Sequence, residues 1–177
     1  MLFRSAHCAL ALWLAPGFAA LAIDLVSREG GSATFADQPT VSAALTNAGI
    51  ERHVMDMVGA LDFLNTLPFV VQGGQGVTGY CYGGGVAWRI AVEDSRVVAA
   101  VPYYGIAPPL EKVPDMRAAV RGVYASDDER VNSTAVPLEL MLRESGKTYA
   151  MKQYPDTRHG FFGDTSNVYA PEQAQAA

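Results

Sequence analysis

The chain has 177 residues, of which 50% are hydrophobic and 18% charged, a balance that suits a globular domain with a buried core and excludes a disordered or fibrous chain. Its net charge of −5, with 13 Lys and Arg in no run, argues against a nucleic-acid partner, because neutralising phosphates takes clustered cations. Cys8 and Cys81, with the scattered His7, His53 and His159, offer neither a disulfide framework nor a ligand-spaced metal cluster, so no metal is expected and a reduced, cytoplasmic setting is the default.

The N-terminal residues admit two readings. Arg4, the apolar run 8–14, Pro16-Gly17 and the small residues 19–22 have the form of a secretory leader with an Ala-x-Ala cleavage site. The same residues also read as a helix over 1–15 ended by Pro16-Gly17, then a short buried strand, Phe18–Ile23, closed by Asp24. No apolar stretch reaches the roughly 20 residues of a membrane span, so no membrane partner is expected.

A polar, Gly-rich loop over 27–40 leads to a helix at about 41–66, where Val54, Met57, Val58, Leu61 and Leu64 recur at helical spacing and Pro68 marks the end. Residues 73–76 turn into a short strand at 77–78, which runs into the Gly-rich segment 79–85 and a helix continuing to about Glu93. Apolar strands are expected at Val97–Tyr103, 120–125 and 149–154, with a helix at 136–144 stopped by Ser145-Gly146. Short strands separated by helices predict an α/β fold, a parallel sheet with helices on both faces, and one domain over 1–177.

Two glycine motifs overlap at the centre. Gly74-x-Gly76-x-x-Gly79 fits a dinucleotide fingerprint, with Glu93 or Asp94 as the ribose acid, but these glycines precede the strand they should follow and the acids close a helix. Gly79-Tyr80-Cys81-Tyr82-Gly83 fits a nucleophile on a tight strand-to-helix turn, where Gly79, Gly83 and Gly84 provide the clearance that close passage of strand and helix demands. Such a turn aims the Tyr82 N–H at a developing oxyanion and the positive end of the helix at Cys81. The order nucleophile, acid, base is met by Cys81, then Asp127 or Asp128, then His159, each after a strand. The competing readings are that the acids cap the following helix and that Cys81 is an inert buried thiol.

These motifs, together with the segment Gly17-Phe18-Ala-Ala-Leu-Ala-Ile-Asp24-Leu-Val-Ser-Arg28-Glu-Gly-Gly31, Val101-Pro-Tyr-Tyr-Gly105, Asp128-Glu-Arg-Val131-Asn and Tyr154-Pro through His159-Gly-Phe161, resemble the dienelactone hydrolase (carboxymethylenebutenolidase) family over about 17–169. The resemblance implies a three-layer α/β-hydrolase-like sandwich with a mostly parallel sheet. It also implies a Cys-His-Asp triad that cleaves small carboxylic esters or lactones with no metal or cofactor, in the cytoplasm. Carried over by motif, Cys81 is the nucleophile and His159 the base. Asp128 is the acid, because the pattern Asp-x-x-Val places Val131 three residues on, and Arg28 matches a substrate-carboxylate arginine. Gly160 and Gly163 stand where characterised members carry a serine and an arginine of the substrate pocket.

The match makes Phe18–Ile23 an interior strand, which favours the helix-then-strand reading over the leader. The strands that precede it in the family have no counterpart in 1–15, so the sheet is expected to be incomplete at its N-terminal strands. The partners expected are a small ester or lactone and, at most, a second copy, as monomer or homodimer. The competing expectations are a shortened member with little activity, serving as a binding or partner-dependent module, and a nucleotide-dependent oxidoreductase.

Overall fold

Leu10–Ala15 (β1) and Phe18–Ile23 (β2) pair antiparallel, Ala15 opposite Phe18, across a turn at Gly17 whose φ of +84° only glycine adopts without strain. The computed structural model describes residues 10–15 and 17–177, with side chains from Gly17 onward. The described residues through Gln72 form one compact unit and Gly73–Ala177 a second.

The expected helix over 1–15 is therefore a strand where it is described. Leu and Ala in a short run fit either element, and the tight turn with its six paired positions decides for the hairpin. The remainder of that helix, the leader's front, His7 and Cys8 lie outside the described residues. Nor is β2 the buried strand expected: it alternates exposed and half-buried positions, with Phe18 79% exposed.

After β2, the Asp24 carboxylate accepts the N–H groups of Val26 (3.1 Å) and Ser32 (2.7 Å) and so organises two short 3-10 turns. The single helix expected at 41–66 is two, α1 (Gln38–Ala48) and α2 (Ile50–Thr66), broken at Gly49, where φ is +82°. Asp37 caps α1 by accepting the Thr40 N–H at 2.9 Å. On α2, Val54 and Leu61 are buried, and His53, fully buried, shares a 3.2 Å hydrogen bond with the Leu45 carbonyl of α1. Ion pairs Arg52–Glu29 and Arg28–Asp56 tie α2 to the turn at 27–29.

The second unit is built on four parallel strands in the order β3-β4-β5-β6: β3 (Gln75–Tyr80), β4 (Val97–Tyr103), β5 (Ala119–Asp127) and β6 (Tyr149–Arg158). Helix α3 (Tyr82–Glu93) connects β3 to β4 and α4 (Glu129–Glu144) connects β5 to β6; a last helix, α5, spans Pro171–Ala176. Trp88 and Ile90 of α3, Val97, Val123 and Ala125 of the sheet, and Leu138 and Leu142 of α4 are all fully buried and form the core. Helix α4 starts earlier than the sequence indicates because Asp128 caps it, and Pro137 interrupts its N–H ladder without ending it. No helix of the described residues is long and apolar enough to cross a membrane. The carboxyl ends of the four parallel strands bring Cys81, Tyr104, Asp128 and His159 to one edge, the place where open α/β sheets build sites.

Candidate active site

Cys81 lies between β3 and α3 with φ +55° and ψ −118°, a backbone conformation that costs an L-residue about 1–3 kcal/mol and persists only where the surroundings enforce it. Three glycines show what enforces it. A Cβ on Gly79 would lie 2.1 Å from the Gly83 carbonyl oxygen, one on Gly84 2.4 Å from that of Tyr103, and one on Gly105 2.2 Å from the Gly84 carbonyl carbon. Backbone thus presses on backbone, and the Cys81 N–H donates to the Tyr103 carbonyl at 3.1 Å. Gly83, expected to share this demand, faces open space, whereas Gly105, which belongs to no expected turn, meets it. The thiol so presented is free and exposed.

His159 follows β6 and Asp128 follows β5. The His159 Nδ1 lies 2.5 Å from Asp128 Oδ2, while Asp128 Oδ1 accepts the Val131 N–H at 3.4 Å. One carboxylate therefore both caps α4 and holds the imidazole, joining two roles that the sequence left as alternatives. Asp127 does neither: its side chain is 79% exposed and pairs loosely with Arg158 at 3.8 Å.

The thiol and the imidazole tune each other. His159 is the first influence drawing the Cys81 thiol below its ordinary value, helped by the Tyr82 N–H and the charge of Arg130 and opposed by burial. Cys81 in turn is the first influence raising His159; burial opposes it and Asp128 adds to it. Both shifts favour a thiolate beside an imidazolium. The buried Nε2 makes no hydrogen bond of good geometry, a looseness common before substrate binds.

Tyr104, just past β4, is the site residue that sequence reasoning missed. Its φ is +37°, it is buried, and its ring centroid lies 4.9 Å from that of His159. Burial pushes its phenol up to about 12, so it stays neutral. The signal in the sequence is Tyr103-Tyr104-Gly105 at the end of β4, a segment of the family resemblance that carries no assigned task. Tyr104 also lines an open cleft of about 790 Å³, shared with Tyr80, Phe162, Gly163, Asp164 and Tyr169. Tyr80 stacks on Phe162 at 5.3 Å, so the cleft wall is aromatic. Arg28 belongs to the other unit, where Asp56 engages its guanidinium. Glu93 is held by Arg89 and Lys112, and Asp94 by Arg96, which occupies both acids that a ribose would need.

A cysteine on a strained turn after a parallel strand, with an aspartate and a histidine paired after later strands of the same sheet, is the arrangement of an α/β-hydrolase-like fold. The profile of the dienelactone hydrolase family matches residues 7–177, and the chain belongs to that family. Relatives include proteins named "Putative carboxymethylenebutenolidase" from Methylorubrum extorquens, 28% identical over 90% of this chain and 59% of the relative, and from Escherichia coli, 27% identical over 90% and 63%. The chain thus spans about three fifths of the length of these relatives. Among solved structures, a dienelactone hydrolase-like promiscuous phosphotriesterase from metagenomic libraries superposes with a TM-score of 0.79 at 20% identity, over 91% of this chain and 71% of that one. An acylaminoacyl peptidase of Pyrococcus horikoshii matches with a TM-score of 0.56 at 17% identity, over 61% of this chain and 24% of the peptidase. Both show the fold.

Proposed function

We propose that this chain hydrolyses small carboxylic esters or lactones with Cys81 as nucleophile, His159 as general base and acid, and Asp128 as the group that orients His159. The observation that carries the reading is the 2.5 Å contact of Asp128 with His159 Nδ1, beside an exposed thiol already lowered by that histidine. Cys81 Sγ attacks the acyl carbon and its proton passes to His159 Nε2. The tetrahedral oxyanion faces the Tyr82 N–H, whose loss as a donor would cost roughly 10²- to 10³-fold in turnover. Collapse breaks the carbon–oxygen bond, the alkoxide takes the proton from His159, and a thioester remains. Water, deprotonated by His159, attacks the thioester, and the acid leaves as the thiol is restored. The aromatic cleft beside His159 suits the apolar part of such an ester.

The reading is tested with phenyl acetate. Wild type should release phenol and accumulate an acetyl group on the Cys81 peptide, seen by mass spectrometry, while Cys81→Ala should lose turnover to background. Equal rates in wild type and Cys81→Ala would overturn it. Arg28, assigned to a substrate carboxylate by the resemblance, is tested beside it: Arg28→Ala should raise KM for an ester carrying a carboxylate and leave phenyl acetate unchanged.

A further inference from the structure

The sheet contains an irregularity that sets the relation between Asp128 and His159. From Val120–Tyr149 to Ala125–Tyr154, each β5 residue pairs with the β6 residue 29 positions further on, yet Asp127 pairs with Arg158, 31 positions on. One residue of β5, Ser126, therefore opposes three of β6, Pro155, Asp156 and Thr157. This is a bulge of two extra residues in a parallel pair, where bulges are rare. Asp156 takes φ +56° to make it.

The extra residues have a geometric consequence. In uninterrupted register, Asp128 would face Thr157, and His159 would lie two residues beyond, about 6.6 Å along the strand. The bulge takes up those two residues and brings His159 level with Asp128, at 2.5 Å.

A bulge leaves ladder groups unpaired, and here two hydroxyls take their place. The Ser126 N–H donates to Thr157 Oγ1 at 3.3 Å, and the Thr157 N–H donates to Ser126 Oγ at 3.3 Å. The Thr157 hydroxyl donates to the Tyr154 carbonyl at 2.7 Å, and Asn132 Nδ2 on α4 donates to the Ala125 carbonyl at 2.9 Å. Thr157 is 1% exposed. Ser126 and Thr157 each stand two residues before the group they would align. We infer that the reciprocal Ser126–Thr157 clasp is the positioning device of this site: it fixes the two-residue bulge in β6 that places His159 against Asp128. Both are positioning residues, since neither touches the reacting atoms. The inference rests on the proposed roles of Cys81, His159 and Asp128.

The charged and titratable groups around the pair are Asp128 at the end of β5, Cys81 at the elbow, Tyr104 beyond β4 and, toward Cys81, Arg130 of α4. The test uses Thr157→Val, which keeps the branched shape and deletes the hydroxyl, Thr157→Ser, which restores it, and Ser126→Ala at an exposed position. Three readouts are taken: the proton resonance of the His159 Nδ1–H, the pH profile of iodoacetamide alkylation at the Cys81 peptide, and kcat and KM for phenyl acetate. In Thr157→Val the downfield Nδ1–H resonance should be lost, the alkylation midpoint should move up toward an ordinary thiol, and kcat should fall on the order of 10²-fold with little change in KM. Thr157→Ser should restore all three, and Ser126→Ala should shift them in the same direction by less.

A folded Thr157→Val with the wild-type resonance and alkylation profile overturns the inference. If Thr157→Val does not fold, wild-type readouts in Ser126→Ala overturn it. The resonance needs no turnover, so a failure of the Cys81 assignment, seen as activity surviving in Cys81→Ala, is told apart from a failure of the clasp.

Discussion

Two histidines, one in each unit, are tuned in opposite directions. His53, wholly buried on α2, is pushed below its ordinary value first by burial and then by Arg52. His159, with 30% of its side chain exposed, is raised first by Cys81 and then, against burial, by Asp128. In the first region the imidazole fills space and is kept neutral; in the second it is surrounded by groups that want it charged. The surroundings differ in the same sense. Among the described residues only Val26, Val54 and Leu61 of the buried apolar side chains precede Gly73, and ion pairs and capping carboxylates supplement them there. The second region is packed backbone on backbone, which is what a fixed acid–base geometry needs.

The largest way to break this contrast is Asp128→Asn. It removes the charge that lies against His159 Nδ1 and that we propose orients it, and kcat on phenyl acetate should fall by roughly 10²- to 10⁴-fold, while the His53 resonance stays unmoved in a histidine NMR titration. A fall below tenfold would place the orienting acid elsewhere. Next is Gly84→Ala, whose Cβ would meet the Tyr103 oxygen. It should lower stability by about 3 kcal/mol or more in urea unfolding, whereas Gly83→Ala, in the same helix turn but facing open space, should be neutral or stabilising by about 0.5 kcal/mol.

A third prediction concerns pH. A histidine with a lowered folded value binds its proton more weakly folded than unfolded, so the stability it contributes is full above about pH 6.5 and is lost as pH falls through the folded value. His159, raised, contributes stability that is full below about pH 6.5 and is lost as pH rises through its folded value. Cys81, lowered, has the opposite sign to His159: the stability it contributes is lost as pH falls through its folded value. His53→Gln should therefore reduce the loss of stability on acidification measured by urea midpoints, and leave the alkylation profile of Cys81 unchanged. The smallest effect is expected for Arg28→Ala, which removes a half-exposed ion pair and should cost about 0–1 kcal/mol.

Much of the second region is legible in the sequence because its strands are short, apolar and separated by helices: Val97–Tyr103 has the bounds its composition gives. Cys81, Asp128 and His159 can likewise be read in order, since each follows a strand. What the sequence conceals is geometry that depends on distant partners. Gly105 looks like any loop glycine until Gly84 is seen beneath it. Ser126 and Thr157 look like ordinary polar residues near strand ends until the register slip pairs them. The first region is less legible because Leu-Ala runs suit strand and helix alike, and a single glycine, Gly49, breaks a periodicity that otherwise runs on.

The exposure of the Cys81 thiol carries a chemical cost as well as a use. A loosened proton makes sulfur a good nucleophile toward peroxide as well as toward an acyl carbon, and the first product, a sulfenic acid, reverts with thiols while the next oxidation step does not. The lifetime of the site under oxidants is thus governed by the same tuning that arms it.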